Sequence, residues 1–343
     1  MCLRGIYKLD MRKVPEMPGH KGRAEMDEKM DEQLTVKYIR TKSKVRKIVT
    51  YKEQDGELRR YHEEVAKFLN KNVKQSVFAK AYTPRSSIYK NARAHMYNDI
   101  FLKMDIKNFF PNINHKYLAE CLYFEINKNK KISRKECYDI VGKCSVSDKG
   151  LPLGLVSSPV LANLYMKEFD GLLYGQIKKM DLGNPIYTRY ADDMVISFRW
   201  MPDYEQKIEH LIIEVKRLLE RVHMTLNDKK TAVCNLRLSN HVRITGVSIT
   251  KDENNYRHIS VGRRLKNDIF WRAVGLYEQE AKDYAEVERI KGMYSFLMSI
   301  EKRGIEDCYS ERMKEIIREK GYENLEKMIR DLGEEHENSS THG

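Results

Sequence analysis

Cysteine is scarce and scattered. The 343 residues hold six, Cys2, Cys121, Cys137, Cys144, Cys234 and Cys308, and none forms a CxxC pair. Cys137 and Cys144 are neighbours without a second pair or clustered histidines, which argues against a zinc site. Single cysteines of this kind suit a reducing cytosol, where they behave as small core residues, so a cytoplasmic location is expected. Long apolar runs are absent too. No stretch of about 18 apolar residues exists, so no membrane-spanning helix and no membrane partner are expected. The opening MCLRGIYKLDMRKVPEMPGHKG carries charges through its middle and lacks the apolar segment of a secretory leader. No internal repeat is evident.

What the chain has in excess is positive charge. The formal net charge is +13 and the pI about 9.2. An excess of this size favours a polyanionic partner, nucleic acid being the commonest. Apolar residues make up 41%, enough for packed cores, and the length suggests two or three subdomains.

The pattern along the chain is mixed, α+β. Residues 1–35 are polar and weakly patterned, an N-terminal arm. Lys44–Leu69 reads as a basic strand, a turn at Asp55-Gly56 and an amphipathic helix. Asp99–Ile113 reads as a buried strand, after which Asn114 can cap a helix with Leu118, Leu122 and Ile126 on one face. Gly150–Leu173 opens as a Gly/Pro loop. Ser158 can cap the long apolar helix that follows, with Pro159 at its first position. A hairpin, an amphipathic helix over Tyr204–Val222 and short strands around Thr231–Thr250 come next. From about Arg263 the pattern is helical, and 334–343 read as a disordered tail.

The hairpin YTRYADDMVISF (Tyr187–Phe198) places two adjacent aspartates, Asp192 and Asp193, at the tip of two apolar strands. Asp favours turns, and a plain solvated turn is the bland reading. Two features favour another. The pair sits on a rigid β element, and Asp105 ends a second strand, FLKMD, which alignment of the two strands would bring against Asp192. Clustered acid in a basic protein calls for divalent cations, which relieve carboxylate repulsion and then hold phosphates. Two Mg²⁺ ions (or Mn²⁺) among three carboxylates make the two-metal arrangement of phosphoryl transfer.

At these residues the chain resembles bacterial reverse transcriptases. YADD (Tyr190–Asp193) resembles their palm hairpin, and MDIKNFFPNI their first palm motif with Asp105 as metal ligand. GLPLGLVSSPVLANLYM resembles their template-and-nucleotide loop, and LNDKKT (Leu226–Thr231) the motif after it, with RITGVSI following. The order is right over about residues 40–300. NARAH (Asn91–His95) and ITG (Ile244–Gly246) resemble the NAxxH and VTG patterns of retron reverse transcriptases. HISVGRRLKNDI and IKGMYSFLMSI resemble a retron thumb. Two departures stand out. Leu153, Leu155 and Val156 replace the Gln, Ala and Pro of LPQGAPSSP, and Leu153 can pack there but cannot donate a hydrogen bond. Ala81 replaces the usual glycine before an aromatic.

The resemblance implies a right-hand fold: fingers over 36–98, palm over 99–250 with a fingers insertion near 125–155, and a helical thumb over 251–333. It implies that Asp105, Asp192 and Asp193 hold two Mg²⁺ ions, with the Ile106 carbonyl as an added ligand. Phe110 would exclude a 2′-OH. Arg46, helped by Lys44, would grip the triphosphate. Lys230 would act as proton donor or charge partner to the leaving pyrophosphate. Leu153, Gly154 and Tyr190 would line the nucleotide and primer terminus. Asn91, His95, Arg263, Arg264, Lys266 and Arg272 would serve RNA binding, although a buried structural histidine is the plainer reading of His95. The partners implied are dNTPs, a structured non-coding RNA, its DNA product and a separate effector protein. The product would be branched, primed from a guanosine 2′-OH, and the role defence against phage. Three other readings stay open: a defence-associated or diversity-generating reverse transcriptase, a non-catalytic RNA-binding scaffold, and a basic metal-dependent nuclease.

Overall fold

The computed structural model describes residues 33–40, 45–126, 132–147, 149–279, 283–301 and 309–340, with side chains in the last helix described through Leu332. Most of the stretch read as an N-terminal arm therefore lies outside the described residues. The chain divides into two compact units, Met1–Ser86 with Ile100–Val233, and Ser87–Asp99 with Cys234–Gly343. The first unit holds most of the stretches expected as fingers and palm, and the second holds the stretch expected as thumb. A short segment ahead of the first central strand joins the C-terminal unit.

In the first unit, β1 (Leu34–Arg40) and β2 (Val45–Tyr51) form an antiparallel hairpin with Leu34 opposite Tyr51 and Ile39 opposite Arg46. Of the described residues of the hairpin only Leu34 and Val49 are buried, while Tyr38, Ile39 and Val45 stay exposed. Helix α1 (Glu57–Asn72) buries Leu58, Tyr61, Val65 and Leu69 at helical spacing. Helix α2 (Ile88–Ala94) belongs to the second unit. Strand β3 (Ile100–Asp105) is apolar and almost wholly buried, as a central strand should be. A four-residue helix α3 (Phe109–Asn112) follows, then α4 (His115–Ile126), whose first turn is capped because Asn114 Oδ1 accepts from the Tyr117 amide at 3.0 Å. A Ser133/Glu136 capping box opens α5 (Arg134–Lys143).

Helix α6 (Ser158–Tyr165) has Ser157, not Ser158, at its cap position, and neither serine makes a capping hydrogen bond. The helix expected to continue to about Leu173 breaks at Met166, and α7 (Lys167–Lys179) resumes it. The β4 (Ile186–Tyr190) and β5 (Asp193–Phe198) hairpin and the amphipathic α8 (Tyr204–Arg221) follow. The sheet order is β4-β5-β3-β6, with β6 at Ala232–Asn235. Ile100, Leu102, Met104, Ile196 and Phe198 of the sheet pack in one core with Leu161, Tyr165, Phe169, Leu211 and Leu218 of the helices.

In the second unit, β7 (His241–Ile244), β8 (Val247–Lys251) and β9 (Arg257–Ser260) form a three-stranded antiparallel sheet. Arg257 donates to the carbonyls of Met96 and Asn98 at 3.0 and 2.6 Å and pairs with Asp99 at 2.5 Å. That fork anchors residues 96–99 to this sheet. Helices α9 (Arg263–Tyr277), α10 (Tyr284–Ile300), α11 (Glu311–Glu319) and α12 (Leu325–Ser340) complete the unit. Residues 334–340, expected as disordered tail, continue α12; residues 341–343 lie outside the described residues. Among the described residues no helix is long and apolar enough to cross a membrane.

Candidate active site

The strand register decides which carboxylates meet. Asp105 stands opposite Asp193 in the β3–β5 ladder, one residue from the expected partner Asp192. The Ile106 amide donates to the Asp192 carbonyl at 3.0 Å, so the backbone itself closes Asp105 onto the hairpin tip. Tyr190 pairs with Asp193, leaving Ala191 and Asp192 as a two-residue turn. Ala191 has φ +58° and Asp192 does not share a positive φ, the pattern of a type II′ turn. An alanine there is strained by about 1–2 kcal/mol, which the surroundings must overcome.

Behind the tip, the Asn227 amide donates to the Asp105 carbonyl at 2.8 Å and its side chain to Asp105 Oδ1 at 2.9 Å. Lys230, on a short 3₁₀ turn, donates to Asp105 Oδ2 at 2.5 Å. Lys230 is thus Asp105's own counter-ion in this structure. Asp192 and Asp193 have no such partner among the described residues and are held above the ordinary carboxylate range. Burial is the largest cause for both. Asp105 then acts on Asp192, and Asp192 followed by Asp105 on Asp193, which is pushed up to about 6. The positive charges of Lys230 and Arg46 oppose the rise at Asp192.

Arg46, at the exposed start of β2, therefore acts on Asp192. Lys44 lies outside the described residues. The loop bearing Leu153 and Gly154 is strapped to the same strand: the Val49 amide donates to the Leu153 carbonyl at 2.7 Å, and the Val156 amide to the Tyr51 hydroxyl at 3.2 Å. Gly154 has φ +110°, and a Cβ there would lie 2.2 Å from the Val49 carbonyl oxygen, so only glycine allows the approach. Leu153 packs partly buried against the core. Phe110 and Phe109 are both buried, with ring centroids 5.2 Å apart, and Phe110 meets Tyr82 edge-on at 6.5 Å. Tyr82 has φ +58° and its hydroxyl is held up by burial and then by Asp192, which places it beside the acid tip.

Whether these residues fit a metal has a divided answer. Among the described residues no three His, Cys, Asp or Glu side chains are grouped to hold an ion. The backbone gathers three aspartates, but Asp105 turns its oxygens to Lys230 and Asn227. The donor chemistry nevertheless fits a hard divalent cation. All donors are carboxylate oxygens, and the hairpin pair carries repulsion that a cation would relieve. The Ile106 side chain is buried, and its amide is committed to Asp192.

Four of the residues expected at RNA have partners or burial within the protein. Asn91 and His95 are buried, and Asn91 Nδ2 donates to Thr245 Oγ1 at 2.9 Å. The NARAH and ITG motifs therefore bind each other: Asn91 steadies the β7–β8 turn, where Thr245 has φ +45°. Lys266 is buried against Glu301 at 2.7 Å, and Glu301 also accepts from Ser260 Oγ and the Val261 amide. Arg272 is tied to Asp268 and Glu286. Arg263 and Arg264 are exposed at the start of α9, and Arg263, Asn267 and exposed Trp271 fall four residues apart on one face.

Sequence reasoning missed Asn227, Tyr82 and the fully buried Arg189–Asp170 pair. Asn227 was visible inside LNDKKT. Arg189 was signalled by a cation in the middle of a strand-forming run, two residues from Tyr187 and Ala191 on the same face.

A family model described as "Reverse transcriptase (RNA-dependent DNA polymerase)" matches residues 47–261. The chain is 29% identical over 202 residues to the retron Ec73 reverse transcriptase of Escherichia coli, covering 56% of this chain and 60% of the relative. It is 25% identical over 231 residues to the retron Ec86 reverse transcriptase of the same organism, covering 67% and 65%. The chain thus spans less than two thirds of the length of both relatives. Among solved structures, telomerase from Candida albicans in complex with a fragment of telomeric RNA aligns at TM-score 0.47 and 10% identity, over 90% of this chain and 68% of that one.

Proposed function

The chain belongs to the reverse transcriptase (RNA-dependent DNA polymerase) family, and from that premise we propose that it copies an RNA template into DNA by metal-dependent nucleotidyl transfer. The right-hand polymerase fold expected from the sequence is the fold of that family. One observation carries the reading: the β3–β5 register and the Ile106–Asp192 hydrogen bond bring Asp105, Asp192 and Asp193 to one tip inside the matched region. These three carboxylates, with the Ile106 carbonyl, would hold Mg²⁺ or Mn²⁺. The bound ions would supply an activated attacking hydroxyl and charge stabilisation for the departing pyrophosphate.

The rest falls to the chain's own groups. Lys230 would exchange Asp105 for the pyrophosphate side as the charge on Asp105 is taken over. Arg46 offers a guanidinium fork for the triphosphate. Phe110 and Tyr82 form an aromatic corner that excludes a 2′-OH by shape. Arg263, Arg264 and Trp271 present a basic, aromatic-bearing face suited to nucleic-acid phosphates and bases.

The finer reading is a retron-type enzyme. The similarity to retron reverse transcriptases supports it, and so does the bond between the NARAH and ITG motifs. On this reading the template is a structured non-coding RNA, priming comes from a guanosine 2′-OH, and a separate effector acts in defence against phage.

Two experiments test the two levels. The full chain should extend a primer on RNA with dNTPs and Mg²⁺, and Asp192→Asn should abolish extension while RNA affinity stays within about twofold; substantial synthesis by the variant refutes the metal assignment. For the finer level, nucleic acid co-purified from the native host should contain a short DNA that shifts on RNase treatment and loses a branch with debranching enzyme. Unbranched DNA would move the chain out of the retron group.

A further inference from the structure

Beneath the acid tip lies a buried polar network for which the nucleotidyl-transfer chemistry gives no role. Arg189, on β4, is fully buried. Its Nε donates to Asp170 Oδ1 at 2.8 Å and its Nη2 to Asp170 Oδ2 at 2.9 Å, a two-pronged pair with both side chains out of solvent. Tyr187 donates its hydroxyl to the same carboxylate at 2.8 Å. The remaining guanidinium nitrogen, Nη1, donates to the Ala191 carbonyl at 3.1 Å and to Asn163 Oδ1 at 3.3 Å. Asn163 is also buried, and its Nδ2 donates to the Ala81 carbonyl at 2.9 Å.

The two ends of this network are the informative part. Ala191 is the strained residue of the turn that carries Asp192 and Asp193. Ala81 precedes Tyr82, another non-glycine residue at φ +58°, whose ring meets Phe110. Strained backbone persists only where its surroundings over-determine it. A lone ion pair buried for stability alone is a poor bargain, because desolvation offsets most of the attraction. Here the guanidinium has two further bonds, one to the strained Ala191 and one to Asn163, which in turn holds the Ala81 carbonyl beside strained Tyr82. Strand β4 also takes backbone bonds from the Tyr82 side: the Arg189 amide donates to the Phe78 carbonyl at 2.8 Å, and the Lys80 amide to the Arg189 carbonyl at 2.7 Å.

We infer that Arg189, Asp170 and Asn163 form a buried positioning clamp that sets the carboxylate tip and the Tyr82–Phe110 corner relative to each other, so that cation binding and sugar selection are adjusted by one network. Arg189 and Asn163 are positioning residues; neither touches the reacting groups. The inference rests on the nucleotidyl-transfer reading above. It makes separable demands on the two arms. Arg189 reaches the tip directly, and Asn163 reaches the aromatic corner.

The test uses the full chain. Arg189→Lys keeps the charge facing Asp170 but loses the fork. Asn163→Ala leaves the Arg189–Asp170 pair intact and frees the Ala81 carbonyl. Mn²⁺ binding to the protein without nucleic acid, followed by paramagnetic resonance, reads the tip; the ratio of dNTP to rNTP incorporation reads the corner. Arg189→Lys should weaken Mn²⁺ binding about tenfold. Asn163→Ala should change Mn²⁺ binding by less than threefold and lower the dNTP preference about tenfold, through KM more than kcat. Wild-type Mn²⁺ affinity in a folded Arg189→Lys chain, or unchanged sugar preference in Asn163→Ala, overturns the clamp. If Arg189→Lys does not fold, the Asn163→Ala ratio decides alone. A wild-type chain that binds no Mn²⁺ or makes no DNA would instead refute the underlying reading.

Discussion

Replacing Asp193 with Asn should make the metal-free protein more stable at neutral pH. Asp193 is pushed from 3.8 to about 6 in the folded chain by burial and by Asp192 and Asp105. A raised carboxylate binds its proton more tightly when folded, so its contribution to stability is full below about pH 4 and is lost as pH rises through 6. The gap between the two values corresponds to about 3 kcal/mol. Asp193 is nonetheless solvent-exposed by surface area, and screening reduces the effect to about 1 kcal/mol. Asn keeps the shape and removes the charge. Urea unfolding of the full chain without divalent cations, from pH 4.5 to 8, reads the difference. The variant should match wild type at pH 4.5 and exceed it by about 1 kcal/mol at pH 7.5, or about 2–4 °C in melting temperature. Adding Mg²⁺ at ten times its Kd should reverse the order, since wild type then gains about 1.4 kcal/mol that the variant largely forgoes. A gap that is the same at both ends of the pH range, or a variant less stable at pH 7.5, would refute the argument that repulsion is stored at this tip.

Three further outcomes follow from the same geometry. Gly154→Ala should raise the dNTP KM about tenfold with little loss of kcat, because its Cβ would collide with the Val49 carbonyl and unstrap the loop; steady-state kinetics with wild-type KM would show that the strap does not serve the nucleotide. Phe110→Val should admit rNTPs, at a stability cost of about 1–3 kcal/mol for a buried aromatic reduced in volume; incorporation assays with unchanged sugar selectivity would move the gate to Tyr82. Lys266→Met should destabilise the chain by about 3 kcal/mol, since Glu301 loses its buried partner, and leave RNA affinity within about twofold. A fall in affinity with no change in melting would restore Lys266 as an RNA contact.

The elements were legible because their signals are local. Glu57–Asn72 and Tyr204–Arg221 show an apolar stripe at helical spacing, and the two aspartates stand between strand-forming runs. The sequence also carried the acid tip, since Asp105 ends a strand. The register did not follow, because a shift of one residue along β3 alters which aspartate is opposed while both strands keep their apolar character. It is settled by the Ile106–Asp192 and Asn227–Asp105 backbone bonds, which pin the end of the strand from both sides.

The partners of the residues expected at RNA could not be read from the sequence, for one physical reason. Asn91, His95, Lys266 and Arg272 are polar or charged, and in a basic chain such residues invite assignment to the polyanion. Whether a cation faces solvent or a carboxylate depends on partners far along the chain. Lys266 finds Glu301 35 residues away, and Asn91 finds Thr245 154 away. Position within α9 separates the cases. Arg263 and Arg264 stand at the exposed start of the helix, whereas Lys266 falls on the face that also buries Ile269, Phe270 and Ala273. A lysine on an apolar stripe therefore points to a buried acid elsewhere, and the same reading applied to Arg189, in the buried middle of β4, points to Asp170. In this chain, a charge on a buried face marks a partner within its own unit, and charge on the polar stripe stays at the surface.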